Sequence, residues 1–186
     1  MKASFASKSL LVALATSVLV SCGSTSGIKP SPGVNPGSHR YGKVIVRDFN
    51  SALTAPETRM KVETARKTFA DQIQGSIQKT GVFRSVARGG KPDADTLVID
   101  GTITRYEDGN AALRLLIGLG AGSSYFDATV RFRDGATLQE LGTIKVDKNS
   151  WVLGGMLAAT QTADDYMPGA AKKVASEAKA FAGTTP

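Results

Sequence analysis

The fold is decided by the stretch Phe126-Asp127-Ala128-Thr129-Val130-Arg131-Phe132-Arg133, which is followed by Asp134-Gly135. Apolar and polar side chains alternate along it, and successive side chains of a strand point to opposite faces of a sheet. The pattern therefore predicts a strand with one buried and one solvated face. Asp-Gly is a strong hairpin signal, so the next strand is expected to return antiparallel from about Leu138 to Asp147.

Working outward from this hairpin, the sequence predicts three more strands and two helices. Continuous or alternating apolar runs predict the strands Lys43–Phe49, Val82–Ala87 and Leu97–Tyr106. A helix is predicted from Glu57 to Thr80 because apolar residues recur there at spacings of three or four. These residues are Val62, Ala65, Phe69, Ile73 and Ile77. A second helix begins at Pro168, and its apolar stripe comprises Ala171, Val174, Ala175, Ala178 and Phe181.

The order β-α-β-β-β-β-α predicts an α+β fold. We expect a mixed, mostly antiparallel sheet of about five strands, with two helices packed on one face so that both apolar stripes are buried. The composition fits one such domain, since the chain has 186 residues, 41% of them hydrophobic and 21% charged. We place this single domain at residues 43–183.

The N-terminus has the pattern of a secretory signal peptide. Lys2 and Lys8 precede a mostly apolar run that is too short for a membrane-spanning helix and that ends in small residues. Its last residues, Leu19-Val20-Ser21-Cys22, resemble a bacterial lipobox. The resemblance implies removal of residues 1–21 and acylation of Cys22, the only cysteine of the chain. An ordinary signal peptide that contains a cysteine is the alternative.

The residues that follow Cys22 are predicted to form a flexible tether. Glycine, serine and proline dominate residues 22–42, and such a segment buries too little apolar surface to offset its ordering entropy. The tether would hold the domain away from the lipid surface. Gly23 differs from the aspartate that retains enteric lipoproteins in the inner membrane, and this resemblance implies an outer-membrane protein that faces the periplasm.

Two apolar, glycine-containing loops are the most informative feature for function. They span residues 110–122 and 151–160, and both are expected at the same end of the sheet if the last three strands form a meander. An exposed apolar surface of this kind marks a site for a partner or a membrane. The alternative is that both loops fold back and cover the core. The candidate interaction residues are Leu113, Leu116, Ile117, Gly118, Gly120, Gly122, Trp151, Leu153, Gly154, Gly155 and Leu157.

The sequence offers no catalytic constellation, cofactor motif or metal-loop spacing. Nucleophilic catalysis by serine or cysteine usually needs a neighbouring base, but the only histidine, His39, lies in the predicted tether. A dinucleotide fingerprint needs a helix after its glycines, whereas a strand follows Gly118–Gly122. We therefore expect a protein that is not an enzyme, with no catalytic residue, no cofactor and no metal.

A basic sheet face is the second candidate site. Arg131, Arg133 and Lys145 fall on adjoining predicted strands, in a chain whose formal charge is +7. Because the signal peptide implies export, nucleic acid is not expected as a partner, while anionic lipid headgroups or cell-wall polymers are available. The alternative is an ordinary solvated charged face.

Several segments resemble an uncharacterised bacterial lipoprotein family, catalogued as a domain of unknown function. They are Gly101–Tyr106, Asn110–Arg114, Ile117–Ser123 and Lys145–Trp151, and the resemblance covers roughly Val44 to Ala182. It implies a small α/β lipoprotein domain without an established activity. A looser resemblance is to the periplasmic domain of the curli secretion lipoprotein, which assembles into an oligomeric pore. This chain is shorter and lacks clear strand pairs for a barrel, so a ring or accessory role stays open.

The leading hypothesis is a non-catalytic outer-membrane lipoprotein that acts as an envelope assembly or protein-interaction module. Its partners would be the membrane, through the N-terminal lipid, and either further copies of the chain or another envelope protein. The alternative is a periplasmic binding protein for an anionic envelope ligand, such as a lipid headgroup or a cell-wall polymer. Arg131, Arg133 and Lys145 would form its anion-binding face.

Overall fold

The structure, a computed structural model, describes residues 23–117, 121–150 and 160–183. The strands are β1 Gly23–Thr25, β2 Lys29–Pro30, β3 Lys43–Val46, β4 Asn50–Ser51, β5 Ser85–Arg88, β6 Thr96–Glu107, β7 Tyr125–Asp134 and β8 Glu140–Asn149. The α-helices are α1 Arg59–Gln78, α2 Ala111–Leu116 and α3 Met167–Ala178. Short 3-10 turns lie at Pro36–Ser38, before α1, before α3 and after α3.

One mixed sheet holds all eight strands, in the order β1-β8-β7-β6-β3-β5. Strand β2 also pairs with β8, and β4 pairs with β6. β6, β7 and β8 form an antiparallel meander, while β3 runs parallel to both β5 and β6. The α+β class and the mixed sheet are confirmed.

The two long helices cover one face of the sheet. All five residues of the predicted α1 stripe are buried, and the Phe69 ring packs edge-on against Phe126 of β7 with ring centroids 5.0 Å apart. Phe181, just after α3, stacks on Phe132 of the same strand at 5.5 Å. Phe126 and Phe132 are an even number of residues apart and therefore share a face. Both helices bury their apolar stripes in one core, as predicted.

The sheet has eight strands, so the prediction of about five was wrong. The additional strands are β1, β2 and β4, each two or three residues long. Backbone pairing with a longer neighbouring strand holds each of them in place. Because such pairing needs no apolar side chains, none of the three shows an apolar pattern in the sequence. The strand predicted at Val82–Ala87 begins three residues later, at Ser85.

The predicted flexible tether was also wrong for its described part, and the fold begins well before residue 43. Gly23–Thr25 and Lys29–Pro30 pair antiparallel with β8 along the edge of the sheet. Between them, the Ser26 amide donates to the Lys145 carbonyl over 2.9 Å, and the Lys145 amide donates to Ser26 Oγ over 2.9 Å. The Ile28 amide donates to Glu177 Oε2 of α3, also over 2.9 Å.

Candidate functional site

The meander brings the bases of the two apolar segments together at one end of the sheet. Tyr125, the first residue of β7, lies opposite both Glu107, at the end of β6, and Asn149, at the end of β8. The Ser150 amide donates to the Ser124 carbonyl over 3.0 Å, and the Ser124 amide donates to Ser150 Oγ over 2.8 Å. The prediction that both segments leave the same sheet end is confirmed by this pairing.

A closed loop base presents the short helix α2 at this end. Asn110 caps the helix, because its Oδ1 accepts from the Leu113 amide over 3.1 Å. The Asn110 amide also donates to the Gly122 carbonyl over 2.8 Å, which joins the two ends of the loop. Gly122 has a φ of +71°, and a Cβ there would lie 2.5 Å from the Asn110 carbonyl oxygen. Glycine at this position is therefore explained by the tight loop base.

The hydrophobic side chains of α2 are exposed rather than packed on the core. Of the six large hydrophobic side chains that are exposed in the described part of the chain, four follow one another closely. They are Leu113, Leu115, Leu116 and Ile117, with exposed fractions of 41%, 61%, 84% and 61%. A fifth, Met60 at the start of α1, is 84% exposed and lines a cleft with Tyr106 and Asp108, which places it at the same end. We call these five residues the apolar end.

The structure describes only part of the predicted interaction set. Leu113, Leu116, Ile117 and Gly122 lie where the sequence predicts them, in the segment that joins β6 to β7. Gly118, Gly120, Trp151, Leu153, Gly154, Gly155 and Leu157 lie outside the described residues, as does Cys22. Sequence reasoning missed Leu115 and Met60. Met60 lies two residues before Val62, the first residue of the buried α1 stripe, and therefore does not fit the spacing of three or four residues within that stripe. An apolar residue off this spacing is expected to face solvent, and this signal could have identified Met60.

Beside the apolar end is an open cleft of about 360 Å³ between α1 and the end of β6. Its polar groups pair with one another: Lys61 Nζ lies 2.5 Å from Asp108 Oδ2, and the Tyr106 hydroxyl donates to Asp164 Oδ1 over 2.8 Å. Burial and this bond to Asp164 raise the pKa of Tyr106. Within the described ranges, no group of three or more His, Cys, Asp or Glu side chains is placed to hold a metal ion.

The predicted basic face carries its own counter-ion. Arg131 Nε lies 2.7 Å from Asp100 Oδ1, and Arg133 Nε lies 3.0 Å from Asp100 Oδ2. Lys145 is exposed on β8, opposite Thr129. Asp100 offsets one of the two guanidinium charges and takes up the Nε atom of each arginine. The sequence did not identify Asp100 as their partner, since that pairing depends on the register between β6 and β7.

A second charged group lies nearer the apolar end on the same face. The Arg105 guanidinium pairs with Glu107 through two contacts of 2.8 and 3.2 Å, and its Cζ lies 3.3 Å from the centroid of the Tyr125 ring. Burial raises the pKa of Asp127, and the neighbouring Asp147 raises it further, whereas Arg105 opposes the shift.

Comparisons with solved structures show distant likenesses. A PelC dodecamer from Paraburkholderia phytofirmans is 12% identical, with 88% of this chain and 99% of that chain covered and a TM-score of 0.48. A DUF330 protein from Xanthomonas campestris is also 12% identical, with 81% and 89% covered and a TM-score of 0.47. A hemagglutinin homologue from Helicobacter pylori is 13% identical, with 80% and 87% covered and a TM-score of 0.36.

No curated protein matches the chain in sequence. A family model does match it, over residues 44–154, and its description is Domain of unknown function (DUF4410). The match begins where the sequence resemblance begins, at Val44, and it includes all but the first residue of β3, and all of α1, the meander and α2. Because the match spans more than half of the 186 residues, the chain belongs to the DUF4410 family.

Proposed function

We propose that the protein is a lipid-anchored, non-catalytic outer-membrane protein that acts as an interaction module of the cell envelope. Acylated Cys22 attaches it to the outer membrane on the periplasmic side, and the apolar end contacts another component of the envelope. The lipobox supports the anchor. The exposure of α2 supports the contact, and this second observation carries the proposal.

Leu115 and Leu116 of α2 present most of their side-chain surface to solvent. Leu116 is 84% exposed and Ile117 is 61% exposed, while the core side chains of β6 and β7 are buried. Single exposed apolar residues are ordinary on a protein surface, but a contiguous apolar patch marks an interaction site. The concentration of five such residues at one sheet end therefore favours docking over a role in covering the core.

The polar groups at this end support a binding role rather than catalysis. Lys61 pairs with Asp108 and Tyr106 with Asp164, so these groups stabilise the cleft beside α2. The basic face favours an anionic ligand less, because Arg131 and Arg133 share the Asp100 carboxylate. We therefore favour the apolar end over the basic face as the binding surface.

Thiol accessibility in native envelopes tests the docking surface. The full chain is produced with Leu116→Cys or with Leu138→Cys; Leu138 is 40% exposed in the β7–β8 turn, at the opposite end of the sheet. Acylation occupies the thiol of Cys22, so each variant has one reactive cysteine. A membrane-impermeant maleimide should label residue 116 about tenfold more slowly than residue 138 in opened envelope fragments, and the two residues should react equally fast after the protein is unfolded in urea. Equal rates in the opened envelope fragments would refute docking through α2.

Metabolic labelling tests the anchor separately. Radiolabelled palmitate should enter the wild-type chain and fail to enter Cys22→Ser, and the wild-type protein should sediment with the outer membrane in a density gradient. A labelled Cys22→Ser variant, or unlabelled wild type, would contradict lipidation at this residue.

A further inference from the structure

We propose that the apolar end docks on the lipid bilayer that holds the Cys22 anchor, so that the domain stands with this end on the membrane. The inference rests on the proposed function and names the partner of the same surface: a phospholipid layer, which α2 enters at the interface. It replaces the expected arrangement in which a tether spaces the domain from the lipid.

The position of the anchor is the first step. Gly23 lies opposite Lys148 in the pairing of β1 with β8, one residue before β8 ends at Asn149. Lys148 in turn lies opposite Phe126, at the start of β7. The described chain therefore begins at the sheet end that carries α2, and Cys22 is the residue that directly precedes Gly23.

The residues that directly follow the anchor belong to the folded sheet and leave no flexible linker between Gly23 and the domain. From Gly23 onward the chain runs along β8 toward the opposite end of the sheet, where Pro30 lies opposite Gly142. Reciprocal hydrogen bonds between Ser26 and Lys145 hold the middle of this segment, and Glu177 of α3 accepts from the Ile28 amide. Lipid chains on Cys22 would hold this sheet end at the membrane surface, because the residues that could separate the two are part of the sheet.

The chemistry of the apolar end is the third step. Leu115, Leu116, Ile117 and Met60 present apolar side chains to the outside. The six residues of α2 extend only about 9 Å at 1.5 Å per residue, which is too short to cross a bilayer. In the described ranges, no helix has both the length and the apolar character of a membrane span. An apolar surface of this size instead inserts to the boundary between headgroups and acyl chains, about 5–10 Å deep.

The two attachments act together. Stable membrane association commonly combines a lipid chain with a second signal on the protein. Once the acyl chains hold one end of the domain at the surface, insertion of α2 becomes an intramolecular step with a high effective concentration. The same geometry disfavours a partner at the far end, where Leu138 is the remaining exposed large hydrophobic residue in the described part of the chain.

A vesicle experiment with no other protein present tests the inference. The acylated full chain, as Leu116→Cys or Leu138→Cys, carries the environment-sensitive fluorophore NBD and is reconstituted into vesicles of phosphatidylethanolamine and phosphatidylglycerol. The lipid is in large excess, so that protein copies are isolated. NBD at residue 116 should emit at shorter wavelength and be quenched by lipids spin-labelled near the headgroup. NBD at residue 138 should behave as in water and be quenched by aqueous iodide.

The outcomes separate this inference from the proposed function. If residue 116 is shielded in native envelopes but exposed to water in the vesicles, the apolar end docks on a protein and the lipid inference is refuted while the function stands. If residue 116 is exposed in both settings, both are refuted. Shielding in isolated vesicle-bound copies, with Leu138→Cys unshielded, supports the bilayer as the occupant.

Discussion

Gly23 lies opposite Lys148, and this pairing makes the N-terminal segment the edge strand beside β8. An unprotected sheet edge exposes backbone donors and acceptors that can pair with another chain. Here the segment Gly23–Pro30 occupies the donors and acceptors of β8 over most of its length. The same residues therefore protect an edge and fix the direction from which the chain enters the fold.

Glu177 is expected to hold this edge segment on the domain. Its carboxylate accepts from the Ile28 amide over 2.9 Å and pairs with Lys173 Nζ at 2.6 Å. Glu177→Ala should make the Ile28 amide exchange roughly five- to tenfold faster, since a partly exposed hydrogen bond to a charged acceptor contributes about 1–1.5 kcal/mol to local stability. Hydrogen exchange followed by mass spectrometry measures the exchange rate of the Ile28 amide. The control Glu63→Gln, on the exposed side of α1, should leave Ile28 unchanged, and an unchanged Glu177→Ala variant would refute the role.

The same carboxylate predicts acid sensitivity of the edge segment. The bond from Lys173 lowers the pKa of Glu177, and the Ile28 amide lowers it further. A carboxyl group whose pKa is lower in the folded state contributes stability above its ordinary pKa and loses it as the pH falls through the lowered value. The protection factor of the Ile28 amide, which is its exchange rate relative to that of an unfolded chain at the same pH, should therefore fall in acid more steeply in the wild type than in Glu177→Gln, which has no charge to lose. Parallel pH profiles would contradict this assignment.

Gly101 is expected to be essential for core packing. A Cβ at this position would lie 2.3 Å from Phe49 Cε1 and 2.3 Å from the Thr129 carbonyl oxygen. Because one of the clashing atoms belongs to the backbone, Gly101→Ala should lower the free energy of unfolding by about 1–3 kcal/mol. Urea denaturation measures the change. Gly75→Ala is the matched control: it lies inside α1 with open space around it and should stabilise the fold by about 0.5–1 kcal/mol.

The parts of this fold that have a strong periodic pattern were predictable from sequence. The stripe that includes Phe69 and Ile73 predicted the position and the buried face of α1. The alternation from Phe126 to Phe132 predicted β7 and the face of this strand that packs on the core. Burial of apolar surface dominates in these elements, so the sequence pattern reports it directly.

The parts that depend on pairing between distant segments were not predictable. Gly23–Thr25 has no apolar pattern, and β8 supplies its stabilisation through backbone hydrogen bonds. The partnership of Asp100 with Arg131 likewise follows from the strand register and from no motif. For the site, the sequence located the apolar segment around Leu116, but only the structure distinguished exposure from burial.

Removing Asp100 should destabilise the sheet and create an anion site. Asp100→Asn leaves the guanidinium groups of Arg131 and Arg133 partly buried without a carboxylate, at a cost of about 1–3 kcal/mol of unfolding free energy. Sulfate should then raise the melting temperature more in the variant than in the wild type, because an ion that binds only the folded state stabilises it. Sodium chloride at the same ionic strength is the control. A similar response of both proteins to sulfate would contradict the counter-ion role of Asp100.

Asp127 is expected to destabilise the fold at neutral pH. It lies between Arg105 and Asp147 on the exposed face of the sheet, and its Oδ1 has no hydrogen-bond partner among the described residues. Burial raises the pKa of Asp127, and repulsion from Asp147 and Glu107 adds to this, while Arg105 and the Lys148 amide act in the opposite direction.

Because the folded state binds this proton more tightly than the unfolded state, the free energy of unfolding falls as the pH rises through the interval above the ordinary aspartate pKa. Asp127→Asn keeps an acceptor for the Lys148 amide but removes the charge. It should stabilise the protein by about 0.5–1 kcal/mol at pH 7, a value reduced by solvent screening, and flatten the dependence on pH in that interval. Urea denaturation from acidic to neutral pH measures both effects, with Asp147→Asn expected to give a smaller gain. A loss of stability in Asp127→Asn at pH 7 would mean that attraction to Arg105 exceeds the combined cost of burial and repulsion.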